Sequence, residues 1–538
     1  MPAANVTGGM GWQKLGPAVR ARTPCGFCIR EEERRLPQAG QLRRSNFLFP
    51  TPWQFCPKSP IIFCGIVFAT DCKTKFYGGA TWLRKNWFTG STTTILILAG
   101  AQHVLTLFGA TTLVPLIFGP AMGMTTQQIG AFIGCVYFSM GLATLIQTHP
   151  KLGSGLPIVQ GSSFSFIPPI MTIIGAYKSL GPDVIMQYVG GALFAGGIVL
   201  SLLGYSKLIG RIRKIITPVV IGPTIMAIGF SLAPTAIQFN AANFWPVSLL
   251  VVAMVFFFSL VSKNKYFNIF AVLGSIVIAY LLCLALSVSG VFAAGHPAYI
   301  SLQSVYDAPW LRYKLFMPWG APKFSGLAIG AITAGFFCVM IESIGDYHNC
   351  SYAAGIDDPT PEQINRGIGA EGMCCALSGL LGSVGTTSYT ENIGLIGLTG
   401  VASRHVVRAG AVILILLSLV GKLGALIATM PSPIIGGAYI TLFGTIGALG
   451  IQNLMRADMG SQRNVLIVGF AFLMALGLPG WVEPNQAIFT GALGTTFGGM
   501  AWAVLKTPMA VAGILAAVCD NLIPGTPQER GISGGKEA

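Results

Sequence analysis

"SVGTTSYTENIGLIGLTG", Ser383 to Gly400, decides how this chain is read. It lies between two apolar segments, yet it carries a glutamate, an asparagine and a run of hydroxyl residues. If "TTSYTE" is extended, alternate side chains point the same way. Extended backbone inside a bilayer leaves its N–H and C=O groups unpaired, at a steep cost unless something satisfies them. A second stretch of the same kind, "GLPIVQGSSFSFIPPI" (155–170), supplies a partner. The two can satisfy each other as a short antiparallel pair. Each then continues as a half-helix whose positive N-terminal end points at the midplane. The blander reading, a pair of Gly/Ser-rich packing helices, leaves Glu391 unexplained.

The surrounding composition fixes the class. Of 538 residues, 53% are hydrophobic and only 9% charged, with a mean hydropathy of +0.68. A soluble protein carries roughly a quarter charged residues, so most of this chain does not face water. Apolar windows near the bilayer-crossing length recur, and they are continuous rather than alternating, which excludes a β-barrel. The expected class is an all-α polytopic membrane protein with short strands in two interrupted segments. The net charge of +15 does not indicate a nucleic-acid partner, because residues 1–90 alone hold 13 Lys/Arg against 4 Asp/Glu. That basic N-terminal tail is read as disordered or as a start-site extension, and its Cys25–Cys28 pair lacks a second pair for a metal. No cofactor or metal is expected.

Apolar segments fall at 92–115, 127–147, 157–174, 186–204, 215–233, 246–262 and 267–292. After a wetter connection (293–323) they resume at 324–344, 369–382, 384–400, 406–428, 433–450, 464–478 and 485–504, and 506–538 reads as a cytoplasmic C-terminal tail. With the N-terminus inside, the inner loops carry Lys151, Lys207, Arg211, Arg213, Lys214, Lys263, Lys265, Arg366, Arg404, Arg456 and Arg463. Several short outer loops carry no Lys or Arg, as the positive-inside rule requires. Seven spans per half (91–292 and 324–505) make the second half inverted, the architecture of many secondary transporters. The interrupted segments are the third of each half, segments 3 and 10. The chain is therefore expected in the cytoplasmic (plasma) membrane, both termini inside.

Three acidic residues lie where water is scarce: Glu391, and Glu342 with Asp346 in "VMIESIGDYH". A charge at the bilayer centre costs at least about 2.5–3.5 kcal/mol and usually marks a substrate or ion path. Glu342 and Asp346 are i and i+4 on one helix face, and two close carboxylates out of water make a proton site. The competing reading puts Asp346 in water at the helix end. Gln102 and His103 sit early in the first span, as interhelical glue or site support. Lys422 either pairs with a carboxylate or snorkels.

These residues carry a family resemblance. "ENIGLIGLTG" resembles the nucleobase–ascorbate transporter motif of Gln, Glu or Pro, then Asn-x-Gly, four variable residues, Thr, and Arg, Lys or Gly. Glu391, Asn392, Gly394, Thr399 and Gly400 fill the fixed positions. "QHVLTLFGATTLVP" resembles the family's first span, "GSSFSF" its third and "IESIGDYH" its eighth, in register from about 92 to 505. The resemblance, to the uracil/xanthine permease branch, implies a core domain (spans 1–4 and 8–11) and a gate domain (5–7 and 12–14). It also implies an elevator-like movement and a homodimer. It assigns Glu342 and Glu391 to the imide-like edge of a nucleobase, Phe164 or a neighbour to stacking, and the backbone N–H groups near Ser163 and Thr390 to its carbonyls. Asp346, His103, Gln102 and Asn392 are expected to support the site or the coupling ion, H+. Asp346 stands where bacterial uracil permeases have His, which loosens the uracil assignment. The expected activity is proton-driven nucleobase import, not catalysis.

Other readings compete. An anion carrier of the related seven-plus-seven fold needs a positive pocket, which two buried glutamates oppose. An intramembrane aspartyl protease needs two aspartates from separate helices, and the acidic set here is Glu342, Asp346 and Glu391.

Overall fold

The computed structural model describes residues 90–209, 215–238 and 240–532, and the backbone of 62–63 and 66–67. The Cys25–Cys28 pair and the inner-loop residues Arg211, Arg213 and Lys214 lie outside the described residues. Within a first unit, residues 1–74, β1 (Ile62–Phe63) pairs antiparallel with β2 (Ile66–Val67).

In the second unit the apolar segments of the first half are helices: α1 (Gly90–Met122), α2 (Thr126–Gln147), α3 (Ile167–Tyr177), α4 (Pro182–Tyr205), α5 (Pro218–Ser231), α6 (Trp245–Phe256) and α7 (Ala271–Val288). The second half gives α8 (Gly326–Ala354), α9 (Pro361–Leu380), α10 (Thr390–Thr399), α11 (Arg404–Ser418), α12 (Gly421–Ala428), α13 (Ser432–Leu454), α14 (Gln462–Val482), α15 (Gln486–Leu505) and α16 (Pro508–Leu522). The repeat is visible in helix capping. Thr125 and Thr360 each cap a helix by accepting from the backbone of a glutamine three residues on, Gln128 and Gln363, whose side chain bonds back. These capping boxes satisfy two otherwise orphaned N–H groups at the start of α2 and α9.

Eight helical stretches among the described residues are long and apolar enough to cross a bilayer, and one of them, Gln462–Leu505, runs through both α14 and α15. Segments 3 and 10 fall short because part of each is strand: β3 (Gln160–Ser162) precedes α3, and β4 (Thr386–Ser388) precedes α10. Segment 11 breaks at Leu419–Val420, between α11 and α12.

The helices sort into two groups by what they pack against. In one, α4 lies along α9, α11 and α12 against α2, and α10 and α3 against α8. In the other, α13 lies on α5 and α6, and α16 on α5 and α14. Lipid tails provide no hydrophobic drive between helices, so the seams rely on small residues that let backbones meet. Along α4 and α9 a Cβ at Gly190 would lie 2.7 Å from the Gly379 carbonyl, and one at Gly197 2.6 Å from that of Gly372.

The stretch after Leu505 differs from the expected tail. Pro508 starts a helix whose face of Met509, Ala510, Ala512, Gly513 and Ala516 is buried. Its small side chains fit against α5 and α14, and this packing, rather than length, orders it.

Candidate substrate site

The two interrupted segments meet in the middle of the second unit. β3 and β4 pair antiparallel with Gln160 opposite Ser388, Gly161 opposite Thr387 and Ser162 opposite Thr386. Ser163 N donates to the Gly385 carbonyl (3.0 Å) and Tyr389 N to that of Val159 (3.1 Å), extending the ladder at both ends. Backbone groups that water cannot reach are thus satisfied. Each arm also lays a ring on the other arm's glycine. A Cβ at Gly161 would fall 2.2 Å from the Tyr389 ring, and one at Gly385 2.1 Å from the Phe166 ring.

Beyond the strands the arms present their ends to α8. Ser165 Oγ donates to Glu342 Oε2 (3.1 Å). Asp346 is buried, with Ser388 Oγ donating to Oδ2 (3.0 Å) and Thr390 Oγ1 to Oδ1 (2.9 Å). The water-exposed alternative for Asp346 is therefore wrong: the second arm covers it. Glu391 stands in the first turn of α10, where the helix's unpaired N–H groups favour negative charge. Glu342, Asp346, Thr387, Ser388, Tyr389, Thr390, Glu391 and Phe164 line one cavity of about 90 Å³. That is room for several waters or a small planar ring.

The opposite wall comes from the other helix group: Ile225 of α5, then Ile446, Leu449, Gln452 and Asn453 of α13, and Arg456. Behind that wall Phe443 packs edge-to-face with Phe164 (5.8 Å between centroids, 84°) and stacks on Tyr439 (4.9 Å, 8°). At the rim, Arg456 Nη2 donates to Asn349 Oδ1 (2.5 Å), joining the two groups across the opening. The cavity therefore lies between the two helix groups, with the acids and Phe164 on one side and apolar side chains, two amides and a guanidinium on the other.

Residues 94–483 match the model of a permease family. The rat protein "Solute carrier family 23 member 1" is 34% identical over 488 residues, spanning 81% of this chain and 80% of its own. "Nucleobase-ascorbate transporter 12" of Arabidopsis thaliana is 29% identical over 490 residues, spanning 80% and 69%. The chain belongs to the nucleobase–ascorbate transporter family. It is a multi-pass membrane transporter, and its relatives are transporters rather than enzymes. The structure of murine Solute Carrier 26 family member A9, an anion transporter in the inward-facing state, aligns over 85% of this chain and 73% of its own. At a TM-score of 0.53 and 10% identity, that likeness is one of fold, the seven-plus-seven fold.

Within this transporter, the expected site residues divide. Glu342, Glu391, Phe164, Thr390 and Asp346 come together at the cavity. Ser163 does not offer its backbone N–H to a substrate carbonyl, because the strand ladder has already taken it. Its hydroxyl instead accepts from Ser165 N. His103 and Asn392 form a pair behind the cavity: Asn392 Nδ2 lies 3.1 Å from His103 Nδ1 and donates to the His103 carbonyl (2.9 Å). They fasten α10 to α1. Gln102 is half-buried on α1 and does not line the cavity. Lys422 donates to the carbonyls of Val305 (2.8 Å) and Tyr306 (3.1 Å), and lies over the Trp310 ring.

One buried acid escaped the reading of the sequence. Glu371 of α9 is fully enclosed, and Gln160 Nε2 of β3 donates to its Oε1 (3.4 Å). Nearby, Gln147 Nε2 donates to the Tyr347 hydroxyl (2.7 Å). The signal was present in "IGAEGMCCAL", an acid inside an apolar segment.

Proposed function

We propose that this transporter imports a nucleobase, uracil and/or xanthine, by proton symport. The observation that supports it best is that Glu342 and Glu391 face one small cavity together with the Phe164 ring. An ionised carboxylate only accepts hydrogen bonds, and a uracil or xanthine edge presents N–H donors beside carbonyls. Charge-assisted bonds of this kind are about twice as strong as neutral ones. Phe164 gives the ring a face or edge to pack on, and the start of α10 supplies donors for a carbonyl. Asp346, one turn from Glu342 and covered by the second arm, is the candidate carrier of the coupling proton.

The cavity lies between the two helix groups, which suits an elevator in which the acid-bearing core moves against the gate. Fourteen spans with both termini cytoplasmic put Arg456 and Asn349 on the inner side, so the cavity opens inward. A homodimer in the plasma membrane completes the proposal. The second reading, an anion carrier, draws on the fold of its structural neighbour. Three carboxylates facing the cavity oppose an anion there.

Purified protein in liposomes, offered radiolabelled uracil, xanthine, urate, ascorbate and sulfate under an imposed proton or sodium gradient, tests both. Uracil or xanthine accumulation driven by an inward proton gradient is expected. Uptake indifferent to that gradient would overturn the coupling, and sulfate uptake without nucleobase uptake would overturn the substrate.

A further inference from the structure

The chain does not end at α16 but folds back. Asp520, buried in the last turns of that helix, is the anchor. Its Oδ1 accepts from Arg463 Nη1 (2.9 Å), and its Oδ2 from Arg530 Nη2 (2.9 Å) and from the hydroxyl of Thr217 (2.8 Å), the N-cap of α5. Arg530 thereby ties residues 526–532 to the gate helices. These residues lie beside the loop that joins α13 to α14. The Glu529 carbonyl accepts from Asp458 N (3.1 Å) and from Asn464 Nδ2 (2.7 Å). The Glu529 carboxylate accepts from Ser461 Oγ (3.1 Å) and Thr526 N (2.8 Å).

The far end of this strap reaches Arg456. Gly531 has a φ of +70°, and a Cβ there would lie 2.6 Å from the Arg456 carbonyl. Only glycine is free both to adopt that backbone and to come so close. Arg456 is the residue whose guanidinium bonds Asn349 across the rim of the cavity. The loop between these contacts is short, so the strap and the rim are mechanically one object.

We propose that the C-terminal strap, residues 526–532, is a positioning element for the mouth of the site. It holds the 455–461 loop so that Arg456 stays over Asn349, and through that contact the C-terminus sets how readily the mouth opens. Arg530, Glu529 and Gly531 act through Arg456 and touch no substrate. The consequence for uptake rests on the proposed substrate site; the opening of the mouth does not.

The test uses the full chain in liposomes with Leu449→Cys, a half-buried position lining the cavity. Its labelling by a water-soluble maleimide is read at residue 449 by mass spectrometry. Gly531→Ala is expected to speed labelling by about five- to thirtyfold, the factor by which about 1–2 kcal/mol shifts a two-state equilibrium. Arg456→Ala should do the same alone, and adding Gly531→Ala to it should change nothing further, because both act on one contact. A chain stopped after Gly525 retains Asp520 and repeats the test if Gly531→Ala does not accumulate. Unchanged labelling in both strap variants, or effects that simply multiply with Arg456→Ala, would overturn the proposal. Absence of nucleobase uptake in every version, with the labelling pattern intact, would overturn the substrate reading and leave the strap standing.

Discussion

Ser165 and Glu391 occupy equivalent places on the two arms: the relation that carries Ser162 onto Ser388 in the ladder carries Ser165 onto Glu391. The two differ in kind. Ser165 spends its hydroxyl on Glu342, whereas Glu391 opens into the cavity at the start of α10. The first repeat therefore contributes a ring and a hydroxyl, and the second repeat contributes all three acids. An inverted repeat with equal halves would surround a substrate with like groups. This one gathers the acids and the Phe164 ring on one wall, across from the apolar and amide side chains of the other helix group.

That asymmetry assigns unequal effects to substitution. Glu391→Gln or Glu342→Gln removes a charged acceptor, and hydrogen bonds to charged groups are worth about 1.5–3 kcal/mol. Nucleobase affinity should fall by about 10- to 100-fold in each. Ser165→Ala frees Glu342 from a neutral donor without removing the charge, so its loss should stay below about tenfold. Equilibrium binding of uracil and xanthine to the detergent-solubilised protein checks this. Equal losses in the three variants would contradict the unequal roles.

The crossing of the arms is a packing problem solved by two glycines. At Gly385 or Gly161 an added methyl meets a ring at about van der Waals overlap, 2.1 and 2.2 Å. Phe166 is further confined by Phe336, edge-on at 5.1 Å, and cannot retreat. Gly385→Ala and Gly161→Ala should each destabilise the protein by about 1–3 kcal/mol, the usual cost of overpacking. Gly444→Ala is the control, since a Cβ there meets nothing within 4 Å. A thermal-shift series in which all three behave alike would refute the account.

Much of this was legible because the bilayer restricts what a chain can do. Polar, Gly-interrupted stretches inside apolar segments had to pair or be exposed, so the paired strands were legible in the residues themselves, whereas a common site for Glu342, Phe164 and Glu391 was implied by the family resemblance of their motifs. Other features were set by neighbours that periodicity does not reveal. Whether the Ser163 N–H was free depended on ladder register, which places Gly385 opposite it. Glu371 carries a local signal as an acid inside an apolar segment, but its role is not legible there because its partner, Gln160, is 211 residues away and belongs to the other repeat. The helix Pro508–Leu522 reads as a tail because its small residues gain their burial only against α5 and α14.

Glu371 gives a stability prediction of its own. Its carboxylate is the acceptor for the Gln160 amide in a fully enclosed place. Glu371→Leu leaves that amide donor without a partner, which costs about 1–3 kcal/mol. Glu371→Gln keeps the shape and one acceptor oxygen, and should melt within about 1 kcal/mol of the parent. A leucine variant as stable as the glutamine variant would show that the amide is satisfied some other way.

The strap carries a pH signature whose sign is fixed by its hydrogen bonds. The Thr526 backbone N–H, then the Ser461 hydroxyl, hold the Glu529 carboxyl below its ordinary value of 4.5. A carboxylate whose folded value is depressed contributes fully above its unfolded value and loses that contribution as pH falls through the folded one. The strap should therefore be indifferent to pH from neutrality down to about 4.5 and loosen only below it. Hydrogen exchange at the Thr526 and Asp458 amides, corrected for intrinsic rates, measures this directly, since both donate to Glu529. Protection should be flat and then fall, and Glu529→Gln should remove the step at Thr526. Protection that instead grew on acidification, or a step that survived Glu529→Gln, would mean another group governs the docking of the C-terminus.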